Sequence, residues 1–189
     1  VKINNDTYLN THYLSEFKTR NDFVSGEIVE TKKDNSGNVT NINYYIDEFD
    51  YETNNLSPTL NYVKNSYDEF NNLIKQEENI YDKTFEHTNS YDKFGNLVKY
   101  TRKNITNDTQ ELEILNEYDS LNNVTKTNLN IGSNIVDYAF SYSEYPENKL
   151  NKINITQSSH LTTKNITENI EYDALNRLKE IKIDDGLTK

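Results

Sequence analysis

Tyr91-Asp92-Lys93-Phe94-Gly95-Asn96-Leu97 is the clearest of several near-identical phrases in this chain of 189 residues. Tyr67-Asp68-Glu69-Phe70-Asn71-Asn72-Leu73 precedes it, and Tyr118-Asp119-Ser120-Leu121-Asn122-Asn123-Val124 and Tyr172-Asp173-Ala174-Leu175-Asn176-Arg177-Leu178 follow it. Tyr67 and Tyr91 are 24 residues apart and Tyr91 and Tyr118 are 27 apart, while a degenerate copy opening at Tyr142 divides the interval to Tyr172 into 24 and 30. Recurrence at such a period marks a repeated supersecondary unit and outweighs any single-site motif. Unequal spacing makes it a unit of variable length.

The phrase reads as strand, turn, strand. An Asp in second place can accept hydrogen bonds from backbone N–H groups just ahead of it, which starts a turn at a strand end. The fifth place discriminates: Asn71, Gly95, Asn122 and Asn176 are the two residue types that most readily accept a positive φ. A backbone constraint explains an exchange of Gly for Asn, which a ligand-binding role does not. Asp68, Asp92, Asp119 and Asp173 are therefore read as turn residues rather than as a ladder of cation or sugar ligands. An aliphatic residue, Leu73, Leu97, Val124 or Leu178, closes each phrase.

Flanking segments carry strand periodicity. Val136, Tyr138, Phe140 and Tyr142 alternate with Asp137 and Ser141, and Ile166 and Ile170 share a face with Tyr172. Turn formers cluster at Asn104–Thr109, around Gly132, and from Thr156 to His160. After the turn the apolar residues fall three and five places beyond the aliphatic one, as at Leu178, Ile181 and Ile183, which breaks the period of two. Either a bulge inserts a residue there, or the aliphatic side chain folds over the turn as a plug. The copy at Leu73 lacks this spacing, since Gln76 and Glu78 occupy the corresponding places. Two copies are decayed: Lys33-Asp34-Asn35-Ser36-Gly37-Asn38-Val39 has Lys where Tyr belongs, and the Tyr142 copy carries a two-residue insertion before Leu150. The expected organisation is an N-terminal flanking strand or cap over residues 1–20, packed by Tyr8, Tyr13 and Phe17, and a hairpin domain over 21–189.

The phrase resembles the YD repeat of the RHS family, found in bacterial wall-associated proteins, polymorphic toxins and insecticidal toxin complexes, and in the teneurins. The resemblance covers roughly residues 33 to 184 and is specific for the repeat rather than for a function. It implies an all-β fold of consecutive antiparallel β-hairpins forming a curved, twisted open sheet, a segment of a hollow β-shell that encloses a C-terminal toxic domain in toxins. The family's Pro-rich, Asp-Pro-containing core segment is absent, because Pro58 and Pro146 do not follow Asp. The chain is thus expected to be an internal piece whose partner is the remainder of a parent polypeptide. The signature residues are Tyr67, Asp68, Asn71, Leu73, Tyr91, Asp92, Gly95, Leu97, Tyr118, Asp119, Asn122, Val124, Tyr172, Asp173, Asn176 and Leu178, all structural.

Composition agrees with a lean sheet. A hydrophobic fraction of 33% leaves much of the burial to 15 Tyr and 7 Phe, whose rings pack across strands while the Tyr hydroxyl is expected to stay hydrated. Open sheet edges are expected to pair with a second copy. The net charge of −11 disfavours nucleic acid, which requires clustered Lys and Arg. No Cys occurs, which excludes disulfides and thiolate metal sites and fits an exported protein of a Gram-positive bacterium. No apolar run is long enough to span a membrane and no signal peptide is present, so a secreted or cell-surface location would depend on sequence outside this piece.

Catalytic chemistry finds no foothold in the sequence. His12, His87 and His160 are isolated and lack metal-ligand spacing. No nucleophile elbow is present. Asp47, Glu48, Asp50 and Glu52 are read as an acidic solvated strand face rather than a glycosidase pair, and neither they nor Asp184-Asp185 follow a Ca²⁺ loop. The expectation is a structural repeat segment with no enzymatic activity, no metal and no cofactor. The alternative is a carbohydrate-binding or adhesive β-module whose tyrosines stack on cell-surface glycans.

Overall fold

A computed structural model of the chain describes residues 2–3, 6–7, 9–144, 147–159 and 162–186, with side chains from residue 11 onward. Tyr8, Pro146 and His160, each given a role or an assignment above, lie outside the described residues. The strands are β1 Lys2–Ile3, β2 Asp6–Thr7, β3 Leu9–Ser15, β4 Lys18–Phe23, β5 Ile28–Lys33, β6 Val39–Tyr45, β7 Leu60–Tyr67, β8 Leu73–Ile80, β9 Lys83–Tyr91, β10 Leu97–Asn104, β11 Thr109–Tyr118, β12 Val124–Ile131, β13 Asn134–Tyr142, β14 Leu150–Ser158, β15 Thr163–Tyr172 and β16 Leu178–Asp184, with one helix, α1, at Glu48–Thr53. The fold is all-β. Strand order from β3 to β16 is the order of the sequence, without crossovers, and the described pairings are antiparallel.

The chain divides into two compact units, residues 1–89 with 102–109, and residues 90–101 with 110–189. In the second unit the alternation read around Tyr142 is realised. Tyr138 stands opposite Ile155 and Phe140 opposite Ile153 across β13 and β14, and the two rings stack at 6.2 Å. Each strand face is half-buried rather than sealed, as a thin sheet of hairpins covered mainly by its neighbours must be.

A bulge follows five of the described phrase turns. Tyr118 pairs with Val124 but Glu117 pairs with Lys126, so Thr125 has no opposite number. The same shift follows the turns at Lys33, Tyr67, Tyr142 and Tyr172. The bulge alternative thus holds over the plug, and it holds at Leu73 too, where the apolar spacing had disappeared. An extra residue re-aims the strand without requiring apolar side chains at fixed places afterwards. Phe70, Phe94, Leu121 and Leu175, which a plug would have covered, stand 55 to 76% exposed at the turn tips.

The far ends of the hairpins follow no single rule. Tyr81 and Asp82 form a two-residue turn with φ of 48° and 60°, and this Tyr-Asp pair is not a phrase. Gly132 closes the next described two-residue turn at φ 57°. Between β6 and β7 the connection contains α1, so the acidic stretch from Asp47 to Glu52 is a short helix with its N-cap and not a strand face. Asp47 caps it by accepting the Asp50 N–H at 2.9 Å, Glu48 and Asp50 lie in its first turn, and Asn54 ends it in the left-handed region at φ 55°.

That helix covers a charged cluster in the first unit. Glu30, 4% exposed, accepts from Lys18 at 2.6 Å and from the Tyr51 hydroxyl of α1 at 3.3 Å, with Lys32 at 3.4 Å. Burial pushes the Glu30 carboxyl up, but the two lysines outweigh it and hold it below the usual range. Arg20 grips Asp22 and Glu48 and lies 4.5 Å over the Tyr51 ring, which meets Tyr45 edge-on at 5.1 Å. Next to it, Phe23, Ile28, Tyr44, Tyr45, Ile46 and Pro58 help line a cavity of about 550 Å³.

Gly95 adopts φ 84°, and a Cβ there would meet no atom within 4 Å. Its constraint is therefore backbone conformation alone. The variant Gly95→Val should be destabilised by at least about 1 kcal/mol, read as a lower melting temperature by circular dichroism. An unchanged melting temperature would remove the left-handed requirement at this place.

Candidate functional site

The sixteen signature residues gather at the phrase turns, and the turn is built around the carboxylate of the second residue. Oδ1 of Asp92 accepts the Phe94 N–H at 2.8 Å and the Asn96 N–H at 2.9 Å, two and four residues on. Asp68, Asp119 and Asp173 repeat both bonds within 0.1 Å of these distances. Asp34, in the copy that lacks Tyr, makes the same pair at 2.9 Å. The backbone closes the loop twice more, the Asp N–H donating to the sixth carbonyl and the fifth N–H to the Asp carbonyl, for example at 2.9 and 3.1 Å around Asp92.

The fifth residue is left-handed in every copy: Gly37 87°, Asn71 66°, Gly95 84°, Asn122 62° and Asn176 63°. The Tyr142 copy preserves the arrangement around its insertion. Asn148 takes φ 45°, and Ser143 replaces Asp by accepting the Lys149 N–H on its hydroxyl at 3.0 Å. The extra residues are therefore absorbed between Ser143 and Asn148.

Sequence reasoning passed over the sixth residue. Its side-chain amide donates to Oδ2 of the same Asp, from Asn38, Asn72, Asn96 and Asn123 at 2.9 to 3.1 Å. Arg177 does so through Nε at 2.7 Å. The amide then reaches to the fifth residue of the next turn: Asn38 to Asn71 at 2.8 Å, Asn96 to Asn122 at 3.0 Å and Asn123 to Asn148 at 3.0 Å. Lys149 meets Asn176 in the same way. Asn in fifth place thus permits the turn and also links it to its neighbour, a second role that Gly cannot fill.

The tyrosine carries the other link. Its hydroxyl, expected to remain hydrated, instead donates to the carbonyl of the seventh residue of the preceding phrase. Tyr67 reaches Val39 at 3.0 Å, Tyr118 reaches Leu97 at 2.9 Å, Tyr142 reaches Val124 at 2.8 Å and Tyr172 reaches Leu150 at 3.0 Å. An Asn two residues before the Tyr donates to the same acceptor in Asn65 to Val39 at 2.9 Å and Asn116 to Leu97 at 3.0 Å, and Asn89 reaches Leu73 at 2.8 Å. The signal was legible, since Asn-x-Tyr-Asp recurs at Asn65, Asn89 and Asn116. The bulge lies directly after this carbonyl, where the ladder shifts register and a side-chain donor from the next hairpin can enter.

The remaining sequence candidates stay apart from this edge. His12 lies 3.1 Å from Asp22 and His87 3.1 Å from Glu78. Asp184 accepts the Gly186 N–H at 3.0 Å.

No protein-family model matches the chain, and no curated protein matches it. Solved structures do. The crystal structure of TcdB2-TccC3-Cdc42 aligns over 88% of this chain with a TM-score of 0.69 at 14% identity, and that of TcdB2-TccC3 without the hypervariable C-terminal region over 88% with 0.66 at 14%. A third, TcdB2-TccC3-TEV, aligns over 93% with 0.59 at 14%. The chain spans only 8 to 10% of those chains. At this identity the likeness is one of fold.

Two outcomes follow from the turn and the stitch. Hydrogen bonds from the sixth residue's side-chain amide, then from backbone N–H groups, hold the Asp68, Asp92 and Asp119 carboxyls below their usual range, and the Arg177 N–H and guanidinium do so for Asp173. Because the folded pKa is the lower one, the stabilisation is complete above the unfolded value of about 3.9 and is lost as pH falls through the folded values. Thermal melts should therefore drop steeply below about pH 4, and Asp119→Asn should shrink the drop while lowering stability at neutral pH. Tyr118→Phe leaves the Leu97 carbonyl its Asn116 donor and should cost about 0.5 kcal/mol, whereas Tyr172→Phe removes the side-chain donor to Leu150 and should cost about 1.5 kcal/mol in urea unfolding.

Proposed function

We propose that this chain is a structural repeat segment of a secreted or cell-surface RHS/YD-repeat protein, contributing hairpins to a shell and having no catalytic activity of its own. The observation that carries the reading is the recurrence of one turn with a cross-hairpin stitch. The side chains with the most regular chemistry, Asp, Asn and Tyr, use their polar atoms on the backbone and on each other. Residues so engaged specify a wall. The resemblance of the phrases to YD repeats and the likeness in fold to stretches of the TcdB2-TccC3 chains support the same reading, as does the small share of those chains that this one spans. In such a parent the shell would surround a C-terminal toxin domain.

A glycan-binding or adhesive module is the competing role, and it separates cleanly. The labelled chain on a glycan array should give no reproducible signal. A hit abolished by Ala substitution of an exposed tyrosine such as Tyr13 or Tyr81 would replace the wall reading with the module.

A further inference from the structure

The connection that contains α1 parts two neighbouring strands within the first unit. Ladder pairing between β6 and β7 ends at Asn43 and Tyr62. Beyond that pair the Tyr44 carbonyl accepts the Ser57 N–H at 2.7 Å, while the Thr59 carbonyl turns to the next hairpin and accepts the Tyr81 N–H at 3.0 Å. The cavity of about 550 Å³ lies at this parting, and Phe23 and Glu27 of the β4–β5 connection also line it. Those two residues are held together by the Phe23 N–H, which donates to the Glu27 carbonyl at 2.9 Å.

Its wall is firm and mostly apolar. Among the described residues three hydrophobic side chains are buried, and two of them, Ile28 and Tyr45, belong to this wall and stand opposite each other in the β5–β6 ladder. The Tyr45 ring is fixed from behind by its edge-on contact with Tyr51. Phe23 and Ile46, 40% and 48% exposed, mark where the cavity opens to solvent. Polar capacity is scarce and mostly spent, since the Ser57 and Thr59 hydroxyls bond to each other at 3.0 Å. Burial pushes the pKa of the Tyr44 hydroxyl up, so that group stays neutral. Glu27 is the one charged residue of the lining; it is exposed, and the Ser25 hydroxyl donates to its carboxylate at 2.9 Å.

We propose that this cavity binds a small amphiphilic cation, an apolar aromatic body seated against Ile28, Tyr45 and Leu60 with its ammonium at the Glu27 carboxylate. A preformed apolar cavity with a few polar groups is the usual form of a small-molecule site. Charge selects the class of ligand. Residues 46–57, which lead from one lining residue to another, carry Asp47, Glu48, Asp50 and Glu52 and no Lys or Arg. Lys18, Lys32 and Arg20 of β4 and β5 are engaged by Glu30, Asp22 and Glu48. An anion would therefore meet like charge, and a sugar would find few hydrogen-bonding groups free. The inference goes beyond the wall reading, because it concerns one irregular connection and not the repeated turns.

The test uses the full chain, isotope-labelled for NMR, and three probes of one shape: naphthylethylamine, naphthylethanol and naphthylacetate. Titration with the amine should give saturable shifts at the amides of Ile28, Tyr45, Ser57 and Leu60. The amine should bind about fivefold more tightly than the alcohol, the size of an ion pair at a partly open site, and the acid more weakly than either. Glu27→Gln, at an exposed position, should bring the amine down to the alcohol and leave the alcohol unchanged. Equal affinity of amine and alcohol for the unaltered chain, or tighter binding of the acid, would overturn the assignment to a cation. Shifts at other residues, or no saturable shift with any probe, would overturn the site itself. If the same amides shift on dilution of the chain alone, a second copy fills the cavity and the proposal fails.

Discussion

A bulge immediately after a phrase turn takes a carbonyl out of ordinary ladder geometry, and the tyrosine of the next hairpin supplies the donor. Much else about the repeat follows from that exchange. The seventh residue contributes its carbonyl as well as an apolar side chain, so Leu and Val serve equally at Leu97 and Val124. The first residue must place a hydroxyl at the end of a ring that packs on the sheet, which Tyr does and Phe cannot. The Asp and the left-handed fifth residue hold the turn that sets where the bulge falls. A buried carbonyl without a partner costs more than the bond itself contributes, which makes the stitch a strong constraint on register.

Turn and stitch are nevertheless separable. The Lys33 copy has lost the tyrosine and keeps every bond of the Asp34 turn. The Tyr142 copy has lost the Asp and gained two residues, yet keeps the tyrosine bond to Val124 and a left-handed Asn148. Each is satisfied locally, one within seven residues and the other between neighbouring hairpins. Length changes are taken up at the far ends of the hairpins and, in the Tyr142 copy, within the turn itself between Ser143 and Asn148. The far ends of the hairpins carry a two-residue turn at Tyr81-Asp82 in one place and a helix in another.

The helix α1 marks a different way of finishing a hairpin. Its six residues would not hold a helix in water by themselves. They are held by Asp47 and Asn54 at the two ends and by Tyr51 and Glu48 docking on Glu30 and Arg20. A buried carboxylate with two lysines and a tyrosine is costly to break, though not necessarily more stable than an apolar contact.

The turns and the left-handed fifth position were readable from residue order, and the bulge as one of two alternatives, because each is decided within a few covalently linked residues by sterics and by one short side chain. The bulge showed itself as a break in the period of two at Leu178, Ile181 and Ile183. It was invisible at Leu73, where the bulge exists without apolar residues to report it. The partner of the Tyr hydroxyl, the second bond of the sixth-place Asn, the exposure of Phe70 and Phe94, and the helical state of the acidic stretch were decided by residues roughly ten to thirty positions away. Acceptance of a hydrogen bond by Val39 from Tyr67, or docking of Tyr51 on Glu30, depends on which strands lie side by side, and no local propensity encodes that adjacency. Local chemistry chose the hairpin; the packing of one hairpin on the next chose what its side chains touch.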